Sequence, residues 1–68
     1  MKLSTFKRKF NKAHKQNYNV FVDFKNGFFN ANGYEIDIDY SKKETRIYLF
    51  QDNEYVGAIN LFDIEEVS

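Results

Sequence analysis

The reading of this chain turns on residues 28–40, Phe28-Phe29-Asn30-Ala31-Asn32-Gly33-Tyr34-Glu35-Ile36-Asp37-Ile38-Asp39-Tyr40. From Tyr34 onward apolar and acidic residues alternate strictly, the period-2 signature of a strand with one buried face. Just before that run, Asn32-Gly33 favours a two-residue hairpin, whose central residues both take φ > 0. Read this way, the stretch is two antiparallel strands joined by a tight turn. The rest of the fold is predicted by carrying the same logic outward.

Toward the N-terminus, Asn26-Gly27 offers a second such turn, preceded by the alternating run Tyr18, Val20, Val22, Phe24. Toward the C-terminus, a turn around Lys42-Lys43 leads to a strand over 45–51, and Asp52-Asn53 leads to another over 54–61. The spacing thus predicts five strands, at about 18–25, 28–31, 34–40, 45–51 and 54–61. The tail from Phe62 to Val67 reads equally as a helical turn or an extended piece. Two-residue loops pair Phe24 with Phe29 and Val22 with Ala31, then Ala31 with Tyr34 and Phe29 with Ile36. The later turns pair Ile38 with Ile47, Ile36 with Leu49, Leu49 with Val56 and Ile47 with Ala58. Directly opposed residues share a face, so four separate turns place Val20, Val22, Phe24, Phe29, Ala31, Tyr34, Ile36, Ile38, Tyr40, Ile47, Leu49, Val56 and Ala58 on one side. A one-residue slip at any turn breaks that agreement.

Before the strands, Leu3, Phe6, Phe10 and Ala13 recur at spacings of 3, 4 and 3, which is one stripe of an amphipathic α-helix over about residues 4–16. Ser4 or Thr5 is the expected N-cap. The predicted fold is therefore a single α+β domain over 1–68, an N-terminal helix covering the apolar face of a five-stranded antiparallel β-meander. With 68 residues, thirteen of them Phe or Tyr, and no Cys, the core must be built from aromatic area rather than disulfides.

Charge divides the chain along the same lines. Ten basic and ten acidic side chains cancel, yet residues 1–17 hold Lys2, Lys7, Arg8, Lys9, Lys12 and Lys15 with no acid, for +6, and the remainder carries −6. Bases in a first helical turn oppose the helix dipole, so helix stability does not explain them. Lys7, Arg8, Lys9, Lys12 and Lys15 are the candidate contacts to nucleic acid, though no zinc-finger, KH, RRM or helix-turn-helix signature accompanies them.

The predicted register also defines the second sheet face, with Phe21, Asp23, Phe28, Asn30, Glu35, Asp37, Asp39, Arg46, Tyr48, Phe50, Tyr55 and Ile59. Here Asp39 is expected opposite Arg46, Asp37 opposite Tyr48, Glu35 opposite Phe50, Phe50 opposite Tyr55, and Tyr48 across from Gly57, whose bare backbone its ring would cover. Two readings stand. Either this acidic, aromatic face is a partner surface, with Tyr48, Phe50 and Tyr55 as anchors and Glu35, Asp37 and Asp39 as complementary charge. Or the sheet coils into a small barrel, or the tail folds over the rings, and the aromatics are structural cover.

Catalytic chemistry finds no support. His14 is the only histidine, and Ser4, Ser41 and Ser68 have no neighbouring base. Alternate carboxylates on a strand lie about 6.5–7 Å apart, too far for one tight ion site, so no metal and no cofactor are expected. No apolar run approaches the ~20 residues of a membrane span, and Met1–Lys9 lacks the apolar stretch of a signal peptide. The expected setting is the cytoplasm.

The stretches Lys25-Asn26-Gly27-Phe28-Phe29-Asn30-Ala31-Asn32-Gly33-Tyr34 and Gln51-Asp52-Asn53-Glu54-Tyr55 resemble in style the short open reading frames of phages and mobile elements of AT-rich Gram-positive bacteria. Anti-CRISPR and anti-restriction inhibitors are among these. The resemblance implies a small domain that blocks a host protein with an acidic surface, in the host cytoplasm, and it carries no functional residue. The expectation is a non-enzymatic protein-binding module, an inhibitor or modulator of a host protein that handles nucleic acid. The alternatives are a small nucleic-acid-binding regulator using the basic helix, and a homodimer closed through the aromatic face.

Overall fold

A computed structural model describes residues 1–68. One helix, α1 (Leu3–Gln16), is followed by β1 (Val20–Phe24), β2 (Gly27–Ala31), β3 (Gly33–Asp39), β4 (Glu44–Gln51), β5 (Glu54–Asn60), a 3-10 turn (Leu61–Asp63) and β6 (Ile64–Val67). The strands form two three-stranded sheets, β2–β1–β6 and β3–β4–β5. No helix is long and apolar enough to cross a membrane.

The five-stranded meander is not what forms, and the reason lies at Asn32-Gly33. A two-residue hairpin there needs φ > 0 at both positions, and neither Asn32 nor Gly33 has it. The chain runs from β2 through Asn32 into β3 without reversing. It bends at this corner and changes sheets, with the Asn32 amide donating to the Phe50 carbonyl at 2.9 Å. The pair that does adopt φ > 0 is Asp52-Asn53 (51° and 68°), which closes the tight β4–β5 hairpin. The β1–β2 turn sits one residue earlier than predicted. Phe24 pairs with Gly27 and Val22 with Phe29, and Gly27 takes φ 153°.

The second edge of β1, which a meander would leave unpaired, is occupied by the tail. Residues 64–67 form β6, with Val22 opposite Val67 and Phe24 opposite Ile64. Phe21 and Ser68 extend the ladder by exchanging backbone bonds of 2.8 and 2.9 Å. Between sheets, the Phe29 ring packs directly on the backbone of Gly57. A Cβ added there would stand 2.6 Å from the Phe29 ring, so the ring that covers this glycine belongs to β2 and not, as expected, to Tyr48.

Two register differences have opposite consequences. β3 and β4 pair with Ile36 opposite Ile47 and Tyr34 opposite Leu49, two residues from the expected register; an even shift leaves every side chain on its face. In β5 a bulge lies opposite Leu49/Phe50, so Val56 is the extra residue and Ile47 pairs with Ile59. That odd shift turns Ile59 into the core and leaves Val56 exposed.

The buried core is entirely apolar: Phe6, Phe10, Ala13, Val20, Val22, Ala31, Ile47, Leu49, Ile59, Leu61, Ile64 and Val67. The helix lies against β1 and β6 and wedges Phe6 and Phe10 against Tyr34 of β3. The rings meet edge-on at 5.1 and 4.8 Å, the arrangement their quadrupoles favour. Neither Ser4 nor Thr5 caps the helix. Lys2 stands at the N-cap with no side-chain bond, and the first turn holds no acid.

Candidate functional site: an acidic, aromatic sheet face

Alternation along β3 turns Tyr34 and Ile36 inward and Glu35 and Asp37 outward; along β4 it turns Ile47 and Leu49 inward and Arg46, Tyr48 and Phe50 outward. Register then sets Glu35 opposite Tyr48 and Asp37 opposite Arg46. Tyr55 stands opposite Phe50, with ring centroids 6.0 Å apart, and lies 6.4 Å from Tyr48. The three rings form one cluster. Tyr48 and Phe50 are half-buried, while Tyr55 is 61% exposed. Glu35, Asp37 and Arg46 border the cluster and are exposed. Asp37 and Arg46 face each other without an ion pair, since the molecule's one salt bridge joins Lys9 to Glu66.

Asp39 stands apart from this group. Its Oδ1 accepts from the Ser41 hydroxyl at 2.7 Å and from the Ser41 and Lys42 amides at 3.1 and 3.2 Å, forming an Asx-type turn. These bonds, the hydroxyl foremost, hold its carboxyl below the usual carboxylate range. Asp39 therefore shapes the β3–β4 turn. No group of three His, Cys, Asp or Glu side chains comes together as an ion site.

At the corner end of the face, Gly33, Tyr34, Glu35, Phe50 and Asn53 line a hollow of about 260 Å³. A carboxylate and a phenyl ring border it, a pairing that accepts a cationic side chain through charge and cation–π attraction. A polar network stiffens this end. Asp52 accepts from the Tyr18 hydroxyl and from Asn32 Nδ2, both at 2.9 Å, and its amide donates to Asn32 Oδ1 at 3.0 Å. Next to it, Gln51 Nε2 donates to Asn19 Oδ1 at 2.7 Å. The bonds from Tyr18 and Asn32 lower the Asp52 carboxyl, and the same Asp52 contact raises the Tyr18 phenol. The segment before β1, the corner and the β4–β5 hairpin are thereby tied at one point.

The single acidic-aromatic face expected from sequence is split in two. Phe21 and Phe28 pair edge-on at 5.4 Å on the outer side of β1 and β2, 42% and 59% exposed. They belong to the other sheet, because the chain changes sheets at Asn32. Ile59, assigned to this face, is in the core.

One feature escaped the strand pattern altogether. Phe24, Phe29, Ala58, Ile59 and Phe62 line an open groove of about 520 Å³, with Lys25, Asp63 and Glu65 at its rim. Phe62 is 86% exposed, set there by the 3-10 turn, whose first amide bond goes to Asn60 Oδ1. Alternation ends at such a turn, so no period in the sequence announced it.

The basic candidates all lie on α1. Lys7, Arg8, Lys12 and Lys15 are exposed, and Lys9 reaches Glu66 on β6 at 3.0 Å. His14 Nδ1 lies 2.7 Å from the Tyr18 carbonyl, which seats it at the end of the helix. Among known proteins no family model matches this chain, and no curated protein or solved structure matches it.

Proposed function

We propose that the protein is a non-enzymatic binding module that docks on a larger protein through the outer face of β3–β4–β5. Tyr48, Phe50 and Tyr55 supply the apolar contact, and Glu35 and Asp37 the charge. The observation that carries this reading is the Tyr48–Phe50–Tyr55 cluster beside carboxylates that have no internal partner. Aromatic rings are the commonest interface anchors, and uncompensated charge at their edge selects a partner of opposite sign and speeds its approach. The partner is then a basic protein surface that places a Lys or Arg in the hollow between Glu35 and Phe50. An inhibitor of a nucleic-acid-handling host protein, as the resemblance in style implies, would act by covering such a surface.

An NMR titration with an arginine-rich peptide tests the reading. The expected result is saturable shifts at Glu35, Asp37, Phe50 and Tyr55, lost in a folded Glu35→Lys, Asp37→Lys variant. Shifts spread evenly over all ten acidic residues, or unchanged affinity in that variant, overturn it.

A further inference from the structure

We infer that the outward stripe of α1 is a second and independent interface, one that binds the phosphate backbone of nucleic acid. The stripe consists of Arg8, Lys12 and Lys15, spaced 4 and 3 residues apart, so the three side chains stand in one row about 10 Å long. All three are exposed, and none makes an ion pair. Lys7 and Asn11 flank the row on the same outer half of the helix.

The fold does not need this charge. No acid sits in the first helical turn to answer the dipole. Arg8–Lys12 and Lys12–Lys15 are like-charge neighbours at i,i+4 and i,i+3, a destabilising arrangement that a row of phosphates would relieve. Lys9 differs from them. It is spent on Glu66, which neutralises a carboxylate that otherwise faces Asp23 directly across the β1–β6 ladder. The helix thus holds one base with a structural partner and a row without any.

The occupant follows from what the helix lacks. Its apolar stripe, Phe6, Phe10 and Ala13, is already buried in the core, so it cannot insert into a lipid surface as an amphipathic membrane helix does. Its outer half carries no aromatic ring to stack on bases, so binding is to phosphates without sequence reading. Duplex DNA offers the densest line of phosphates and releases more counterions per contact than a single strand, and so is held more tightly. The Tyr34 ring packs on the helix, whereas its neighbour Glu35 points out of the other side of the same sheet. The basic row and the acidic face therefore lie on opposite sides of β3–β4–β5, and one does not block the other.

Fluorescence anisotropy with a labelled 20-base-pair DNA duplex, repeated from about 20 to 200 mM salt, tests the assignment. Expected are a Kd of about 10⁻⁴ to 10⁻⁶ M at physiological salt and a slope of log K on log salt near −3, for three phosphate contacts. A single strand of equal length should bind more weakly and with a shallower slope. Arg8→Ala, Lys12→Ala, Lys15→Ala should lower affinity at least tenfold and flatten the slope; all three are exposed and none makes an ion pair, and circular dichroism checks that the helix persists. The Glu35→Lys, Asp37→Lys variant should bind DNA at least as well as the parent, which separates this interface from the protein-docking face. No binding at the lowest salt, an undiminished slope in the triple variant, or salt-dependent binding to phosphatidylserine vesicles without binding to DNA, overturns the proposal.

Discussion

The two sheets of this small molecule are built in different ways. β3–β4–β5 comes from consecutive residues 33–60, joined by short turns, whereas β2–β1–β6 brings residues 20–31 against residues 64–67. Their outer faces differ as well. One carries the Tyr48–Phe50–Tyr55 cluster edged by free carboxylates. The other carries the exposed Phe21–Phe28 pair, and its Glu66 is taken up by Lys9. The local sheet closes little chain and holds its pairing through nearest-neighbour turns. The non-local sheet depends on closing a long loop, whose entropy must be offset by the core. Stability is therefore expected to be distributed unevenly, with β6 the first strand lost and β4 the last.

The largest effect should come from the wedge that serves both sheets. Phe6→Ala empties a fully buried site against Phe10 and Tyr34 and should cost about 3–5 kcal/mol. A core of this size supplies roughly that much in total. The variant should therefore be largely unfolded by far-UV circular dichroism, and a cooperative urea transition like the parent's contradicts the account. Ile64→Ala comes next, at about 2–5 kcal/mol, and it divides the sheets. Amide exchange should rise first in β1 and β6 while β4 keeps its protection; equal acceleration in both sheets would show that they open together.

Gly57→Ala tests the seam. The new methyl group would meet the Phe29 ring, and overpacking of this kind costs about 1–3 kcal/mol. Adding Phe29→Leu should recover part of the loss, because the flexible side chain can yield; strictly additive costs in a double-mutant cycle would rule out the contact. The smallest effect is expected at the polar tie. Its Tyr18–Asp52 bond needs an ionised carboxylate and a protonated phenol. Asp52 titrates below the ordinary carboxylate value, so its contribution is present above that value and is lost as pH falls through the lowered one. Tyr18 titrates above the ordinary phenol value, so its contribution is present below that value and is lost as pH rises through the raised one. Tyr18→Phe should therefore lower the Tm by a few degrees at most near pH 7, and the difference from the parent should vanish at both extremes of pH. A constant difference at every pH would assign the loss to packing.

Much of this architecture was legible from residue order, because it rests on local periodicity. The helix stripe Leu3, Phe6, Phe10, Ala13 and the alternation over Tyr34–Asp39 needed no tertiary information, and the Phe50–Tyr55 pairing followed from a true two-residue hairpin. The candidate site was legible to the same extent. Glu35, Tyr48, Phe50 and Tyr55 share a face because β3, β4 and β5 are sequence neighbours. Asp39 was misjudged as free charge because an Asx-type turn at Ser41 cannot be told from a strand end by pattern.

Some features had no local signal. Asn32-Gly33 has the composition of a hairpin, but its conformation is set by what packs beside it. At this corner Phe29 is seated over Gly57 and the Asn32 amide is bound to the Phe50 carbonyl, contacts with residues 18 or more positions away that no local pattern contains. The second edge of β1 is open in either arrangement, and Val67 and Ile64 fill it from the far end of the sequence. The bulge at Val56 then decides that Ile59 is core. Periodicity and charge order determined the helix, the first five strands and the opposed basic and acidic segments, and left the sixth strand open. Tertiary packing alone decided that the strands form two sheets, since the energies that favour a bend over a turn come from residues distant in sequence.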